Sequence, residues 1–384
     1  MRAINERTVL ELIQHGGATS RAQIARKSGL SKPTVSLALG SLVEAGLVHE
    51  VGRATGGKGP SAVLYELNPG AGWVVGIDVG AHWLRAAAAD ITGAIVARVD
   101  QRARSRSAGQ LVQQIGHVAQ EVASEAGLRW SQVTHATVGS SGVLDPSRGL
   151  LAHAPNLPGW GRQGLVGAIR DELGTAVSFE NDVNLAALGE RSHGAGRNVE
   201  NFVFLWVGTG VGMGIVINGE LYRGAGGAAG EIGYMPVGDG DPSDPRFRRR
   251  GMLEEWAGAS AVTRAARASA LRQPAKGIFA AARRGDRAAA AVVEDEAGRI
   301  AVAIAAVAPV VDPQLVIMGG GIGGNPDLRP AVERRLSAIS PFTPRLATSE
   351  LGEDAVLRGA VVTALEAARE QLFTRKPLSR SAVV

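Results

Sequence analysis

The chain has 384 residues, of which 45 % are apolar and 20 % charged, with a formal net charge of +5 and no cysteine. That length exceeds one ordinary hydrophobic core and points to two or three domains, while the lack of cysteine excludes disulfides and thiolate metal sites. No run of about 18 apolar residues is available to span a bilayer, and the charged start MRAINERTVLEL is unlike a signal peptide, so no membrane partner and a cytoplasmic location are expected.

Residues 1–67 carry eight Lys/Arg against five Asp/Glu, a mild basic bias. Apolar Val9, Leu10, Leu12 and Ile13 predict a helix over Asn5–His15, stopped by Gly16-Gly17. Ser20, with Gln23 three residues on, has the capping-box pattern and opens a second helix that ends at Gly29. Ser31 caps a third, with Pro33 in the first turn, where a missing N–H costs nothing. Its buried face is Val35, Ala38, Leu39, Leu42 and Val43, leaving Lys32, Thr34, Ser36, Leu37 and Ser41 outward. Small Ala25, Gly29 in the turn and β-branched Val35 suit the steep crossing of a helix-turn-helix, whose second helix enters the major groove.

Leu47–Val51 and Val63–Leu67 then read as two strands joined by the loop GRATGGKGPSA, a wing carrying Arg53 and Lys58. The unit at 1–70 is therefore a winged helix-turn-helix, with Ser20, Arg21, Gln23, Ser31, Lys32, Thr34, Ser36, Arg53 and Lys58 as candidate contacts to duplex DNA. A three-helix protein-interaction module has the same apolar pattern; the polar outer face and basic wing favour DNA.

After Asn68-Pro69-Gly70 the pattern changes to α/β. Strands are predicted at Trp73–Asp78, Leu84–Ala89 and Ala94–Arg98, a helix near Gly109–Gly127, and a strand at Thr134–Val138. The theme recurs at Asn201–Val207, followed by Gly208-Thr209-Gly210-Val211-Gly212, Met213–Ile217 and the tight turn Asn218-Gly219-Glu220. Two lobes, 71–190 and 191–384, are expected to enclose a cleft, with the C-terminal helix able to return to the first. Asp78-Val79-Gly80 and Gly208-Thr209-Gly210 are candidate anion-facing turns, one per lobe. Carboxylates and amides that suit sugar hydroxyls stand at Asn156, Glu180-Asn181-Asp182, Glu231 and Glu254. His153 reads as a loop residue, and Arg283-Arg284 with Arg287 as a solvated helix face.

The runs SRAQIARKSGLSKPTVS, GIDVG, APNLPGW, FENDVNLAALGE, WVGTGVGMGIVINGELYRGAGGAAGEIG, VIMGGGI and LRGA together resemble the ROK family of repressors and sugar kinases, in its winged-helix repressor branch. The resemblance covers almost the whole chain. It implies a duplicated, ribonuclease H-like, actin-like ATPase fold and sugar contacts at Asn156, Asn181, Asp182, Glu231 and Glu254, with Tyr234 at the position of a sugar-touching histidine. In the family's kinases the Asp182 position is the general base. Its Gly319-Gly320-Gly321 matches the adenosine-side turn.

Two departures stand out. The family's zinc ligands, a histidine and a cysteine cluster, are replaced by Tyr234, Pro245, Phe247 and Met252, so no zinc or other metal or cofactor is expected, and Asp241–Arg250 must be held otherwise or move. The kinases' Asp-x-Gly-Gly-Thr followed by a basic residue reads Asp78-Val79-Gly80-Ala81-His82-Trp83 here, which should cost nucleotide use. The expectation is a non-enzymatic, homodimeric, sugar-released repressor of carbohydrate genes on a pseudo-palindromic operator. Alternatives are a bifunctional ATP-dependent sugar kinase and regulator, and an activator or regulator answering to a protein.

Overall fold

Ser20 and Ser31 start the helices that shape the N-terminal unit. The computed structural model describes residues 2–54, 62–145, 150–152 and 161–374. In it α1 (Arg2–Gly16), β1 (Thr19–Ser20), α2 (Arg21–Ser28) and α3 (Lys32–Glu44) are followed by the hairpin β2 (Val48–Arg53) and β3 (Val63–Leu67), in a sheet ordered β1-β3-β2. Ser20 Oγ accepts the Gln23 N–H at 3.4 Å and Gln23 Oε1 accepts the Ser20 N–H at 2.9 Å, the reciprocal cap expected. Gly29 ends α2 at φ 70°. Val9, Ile13, Ile24, Val35, Leu39 and Tyr65 form the core. Val43, expected inside, is 39 % exposed: one residue past Leu42 it has turned about 100° from the Val35, Ala38, Leu39 and Leu42 stripe.

The first lobe follows as β4 (Trp73–Val79), β5 (Trp83–Asp90), β6 (Ile95–Arg102), α4 (Ala108–Glu125), β7 (Val133–Ser140), β8 (Val143–Asp145), β9 (Leu150–Ala152), α5 (Leu165–Leu173) and β10 (Ala176–Asn181). Then come α6 (Asp182–His193), β11 (Phe202–Val207), β12 (Val211–Ile217), β13 (Glu220–Leu221) and the short helices α7 (Pro245–Arg250), α8 (Met252–Ala257), α9 (Ala259–Ala268) and α10 (Ala275–Arg283). The chain closes with α11 (Arg287–Val311), β14 (Leu315–Gly319), α12 (Gly320–Gly323), α13 (Leu328–Ile339), β15 (Arg345–Thr348) and α14 (Ala355–Thr374).

The two five-stranded sheets repeat one topology, β10-β7-β4-β5-β6 and β15-β14-β11-β12-β13. In each, three antiparallel strands meet two parallel ones on the far side. The loops after β4 and β11 are therefore equivalent, as the recurring glycine turns suggested. β12 starts at Val211 rather than Met213, because Val207 pairs directly with Val211.

The helix that follows each sheet is exchanged. α6, leaving the first sheet, packs on β11 and β12; α14, leaving the second, packs on β4 and β7, and the two helices cross. Backbones touch at that crossing. A Cβ at Gly189 would strike the Ala355 carbonyl, one at Gly359 the Leu185 carbonyl, and one at Gly76 would lie 2.8 Å from the Val361 nitrogen. Buried Glu190 closes the joint by accepting from the N–H groups of Ala195 and Leu351 and the Ser349 hydroxyl.

Gly359→Ala is therefore expected to destabilise the chain by at least about 1–3 kcal/mol in urea unfolding, as overpacking does. Gly298→Ala on α11, where nothing lies within 4 Å, should be neutral or stabilising by up to about 1 kcal/mol.

Candidate functional site

A cleft of about 1120 Å³ lies between the lobes. Asn181, Asp182, Glu231, Tyr234 and Glu254 all line it, so five of the six sugar candidates meet in one place. The sixth, Asn156, lies outside the described residues, as do His153 and Lys58.

The local sequence explains the placement. Asn181 ends β10 and caps α6, its Oδ1 accepting the N–H groups of Val183 at 2.8 Å and Asn184 at 3.2 Å while its Nδ2 donates to the Gly142 carbonyl. Its amide thus aims the helix start and keeps little capacity for a ligand. Asp182 follows as the first helical residue, with Oδ1 2.9 Å from the Val183 nitrogen. Burial pushes Asp182 up to about 6, against the pull of the Val183 N–H. Glu254, in the first turn of α8, accepts the Val211 N–H at 3.1 Å, and is pushed by burial up to about 7. Burial also raises Glu231, and burial with the nearby Glu231 and Glu254 raises the Tyr234 phenol. This side of the cleft is a cluster of carboxyl groups raised by burial, able when protonated to donate as well as accept.

The other half is filled differently. Gly80 N–H is bonded to the Trp83 carbonyl at 2.9 Å, and so is unavailable to an anion. Arg102 stacks on the Trp83 ring at 4.1 Å. Arg85 pairs with buried Asp78 at 3.2 Å and with Glu353 at 2.9 Å. Burial still pushes Asp78 up to about 7. Arg85 was not foreseen, yet the hairpin places it directly opposite Asp78, a register readable from the strand pair. Glu353 is 268 positions away from Arg85, and nothing local signals it. Arg283 is exposed, as expected of a solvated helix face, and also borders the cleft and pairs with Asp327 at 2.9 Å.

The residues at the family's zinc positions do not fit zinc. Tyr234, Phe247 and Met252 line one small cavity together with Arg248 and two prolines, with Phe247 and Met252 buried. Asp244 caps α7, so Asp241–Arg250 folds around Phe247 as an anchor.

In the winged helix, Lys32 and Ser36 stand exposed on α3 and Arg53 is exposed at the wing's base. Ser20 is a correction: it is only 6 % exposed and its hydroxyl is committed to the α2 cap, so it faces no groove. Gln23 is exposed but returns its Oε1 to Ser20. Arg21 donates to the Tyr65 hydroxyl at 2.6 Å, tying α2 to the wing. Ser31 and Thr34 share a hydroxyl bond at 2.8 Å in the α3 cap.

The chain thus joins a winged helix-turn-helix to a duplicated, actin-like two-lobed cleft. The chain belongs to the ROK family, whose model matches residues 74–367; residues 8–52 match the IclR helix-turn-helix domain. It is 30 % identical over 242 residues to the xylose repressor of Bacillus subtilis, an alignment covering 62 % of this chain and 61 % of that protein's length. It is 27 % identical over 383 residues to a putative xylose repressor of a Caldicellulosiruptor species, covering 94 % and 95 % of the two. It is also 34 % identical over 245 residues to the glucokinase of Thermotoga maritima, covering 58 % of this chain and 76 % of the enzyme. Among solved structures, a ROK family transcriptional regulator described as a homologue of the E. coli MLC protein superposes with a TM-score of 0.80 at 23 % identity, covering 97 % of this chain and 98 % of that one. That likeness bears on the fold.

The raised carboxyls carry a pH signature. Asp182 and Glu254 sit at about 6 and about 7 against ordinary values of 3.8 and 4.5, so their neutral forms favour folding at low pH and that contribution is lost as pH rises through these values. Melting temperatures measured across this window should fall more steeply for the wild type than for Asp182→Asn or Glu254→Gln.

Proposed function

We propose that the chain is a sugar-responsive transcriptional regulator, a repressor of carbohydrate genes whose operator is released when a sugar occupies the cleft. One observation carries this reading: the sugar half of the cleft keeps its carboxyl cluster, while at the phosphate half the Gly80 N–H is bonded to the Trp83 carbonyl and Asp78 is paired with Arg85. Phosphoryl transfer rests on positioning a nucleotide's phosphates and compensating their charge. Here the turn's N–H and the acidic Asp78 are already satisfied internally. The site therefore favours binding without transfer, and the full-length similarity to a putative xylose repressor supports the same choice.

On this reading Lys32, Ser36, Arg53 and Lys58 face DNA, with Arg21, Gln23, Ser31 and Thr34 shaping the reading head. Asn156, Asp182, Glu231, Tyr234 and Glu254 face the sugar, and Asn181 positions Asp182. The chain acts as a homodimer, one winged helix per half-site, and uses no zinc: Tyr234, Phe247 and Met252 staple by apolar contact what a metal would otherwise hold. No helix of the described residues is long and apolar enough to cross a membrane.

The similarity to a glucokinase keeps a second reading in view, in which Asp182 serves as a base toward ATP. A panel of aldopentoses and aldohexoses, beginning with D-xylose and D-glucose, separates the two. The regulator reading expects one sugar to raise the melting temperature, a stabilisation of about 2.7 kcal/mol at a hundredfold excess over Kd, lost in Glu231→Gln. It also expects no phosphorylated sugar with ATP and Mg²⁺. Turnover abolished by Asp182→Asn would establish the kinase instead.

A further inference from the structure

α14 touches all three parts of the molecule. At its start, Val356 and the preceding Glu353 line the cleft. Glu353 meets Arg85 of the first lobe at 2.9 Å and Lys276 of the second at 3.9 Å. Its middle is wedged between α6 and β4, where Gly189, Gly359 and Gly76 leave no slack. Its last turn reaches the winged helix: Glu370 pairs with Arg7 of α1 at 3.1 Å, and Leu372 packs against both the winged-helix core and the core under β4. Twenty residues span about 30 Å, so one rigid rod connects the cleft mouth to the DNA-binding unit.

β4 makes the same journey but cannot move alone, because it is hydrogen-bonded to β5 and β7 along its length. α14 meets β4 and α6 across a packed face, and packed helices shift by small sliding steps when domains close. Among the described elements it is therefore the one that both reports on two lobes and reaches α1. The Arg7–Glu370 pair is more than half exposed on both sides, so it orients more than it holds. Leu372, seated in the seam, is the anchor.

We infer that α14 is the transmission helix of the molecule, and that its last turn, Leu372 in the seam and Glu370 on Arg7, is the contact through which the state of the cleft sets the orientation of the winged helix. The biological use of this coupling rests on the sugar-responsive reading above; the coupling itself needs no ligand. Glu353, just ahead of α14, meets partly buried Arg85 and lies near Lys276, so removing its charge perturbs the rod at its cleft end, and the effect must appear at α1 if the last turn delivers it.

The test is hydrogen–deuterium exchange on the full chain without ligand, comparing wild type, Glu353→Gln, Leu372→Ala and the double variant. Glu353→Gln should change exchange in residues 2–16 by about twofold or more. That response should vanish in the Leu372→Ala background and return in Leu372→Met, which keeps apolar volume. An α1 indifferent to Glu353→Gln, or one responding equally with Leu372→Ala, overturns the inference. The same peptides followed with the sugar panel separate the two claims. Cleft protection without an α1 response overturns the transmission role. A ligand-free response with no sugar protecting the cleft upholds the transmission role and removes the sugar reading.

Discussion

Everything in the larger part of the chain depends on two helices that cross with no room between them. α6 and α14 each leave one sheet and lie on the other, and glycine at 189 and 359 lets their backbones meet. This exchange makes the lobes one mechanical object. It also sets the chemistry, since the cap that starts α6 is the one that delivers Asp182 to the cleft. Packing this close transmits small displacements instead of absorbing them.

The cleft has two halves with different fates. On one side, burial raises Asp182 to about 6 and Glu254 to about 7, so these carboxyls can donate as well as accept on the acid side of neutrality. On the other side, Arg85 is paired with Asp78 and Glu353, so its charge is met within the chain. In the loop around α7, Phe247 and Met252 are buried.

Much of this was legible in the sequence because it is local. Capping residues, strand hairpins and glycine turns act within four residues, so Ser20, Ser31, Gly29 and the start of β4 could be placed from the residues alone. The same locality misled at Ser20, whose hydroxyl serves the cap and is lost to DNA, and at Val43, where the apolar stripe had already turned away. What was not legible joins distant segments. Neither the Arg85–Glu353 pair nor the seating of Leu372 between two cores leaves a mark in any short window. The return of the C-terminal helix to the first lobe was expected, but not its crossing with α6: glycine reports that space is short, not whose backbone fills it.

The most direct measurement is the affinity of the full chain for a duplex selected by it in vitro, titrated with and without the sugar that stabilises the cleft, at fixed salt. Coupling between the two sites predicts that saturating sugar weakens DNA binding by about tenfold or more, and that DNA weakens sugar binding by the same factor. Equal affinity for the duplex with the cleft empty and filled would contradict the account.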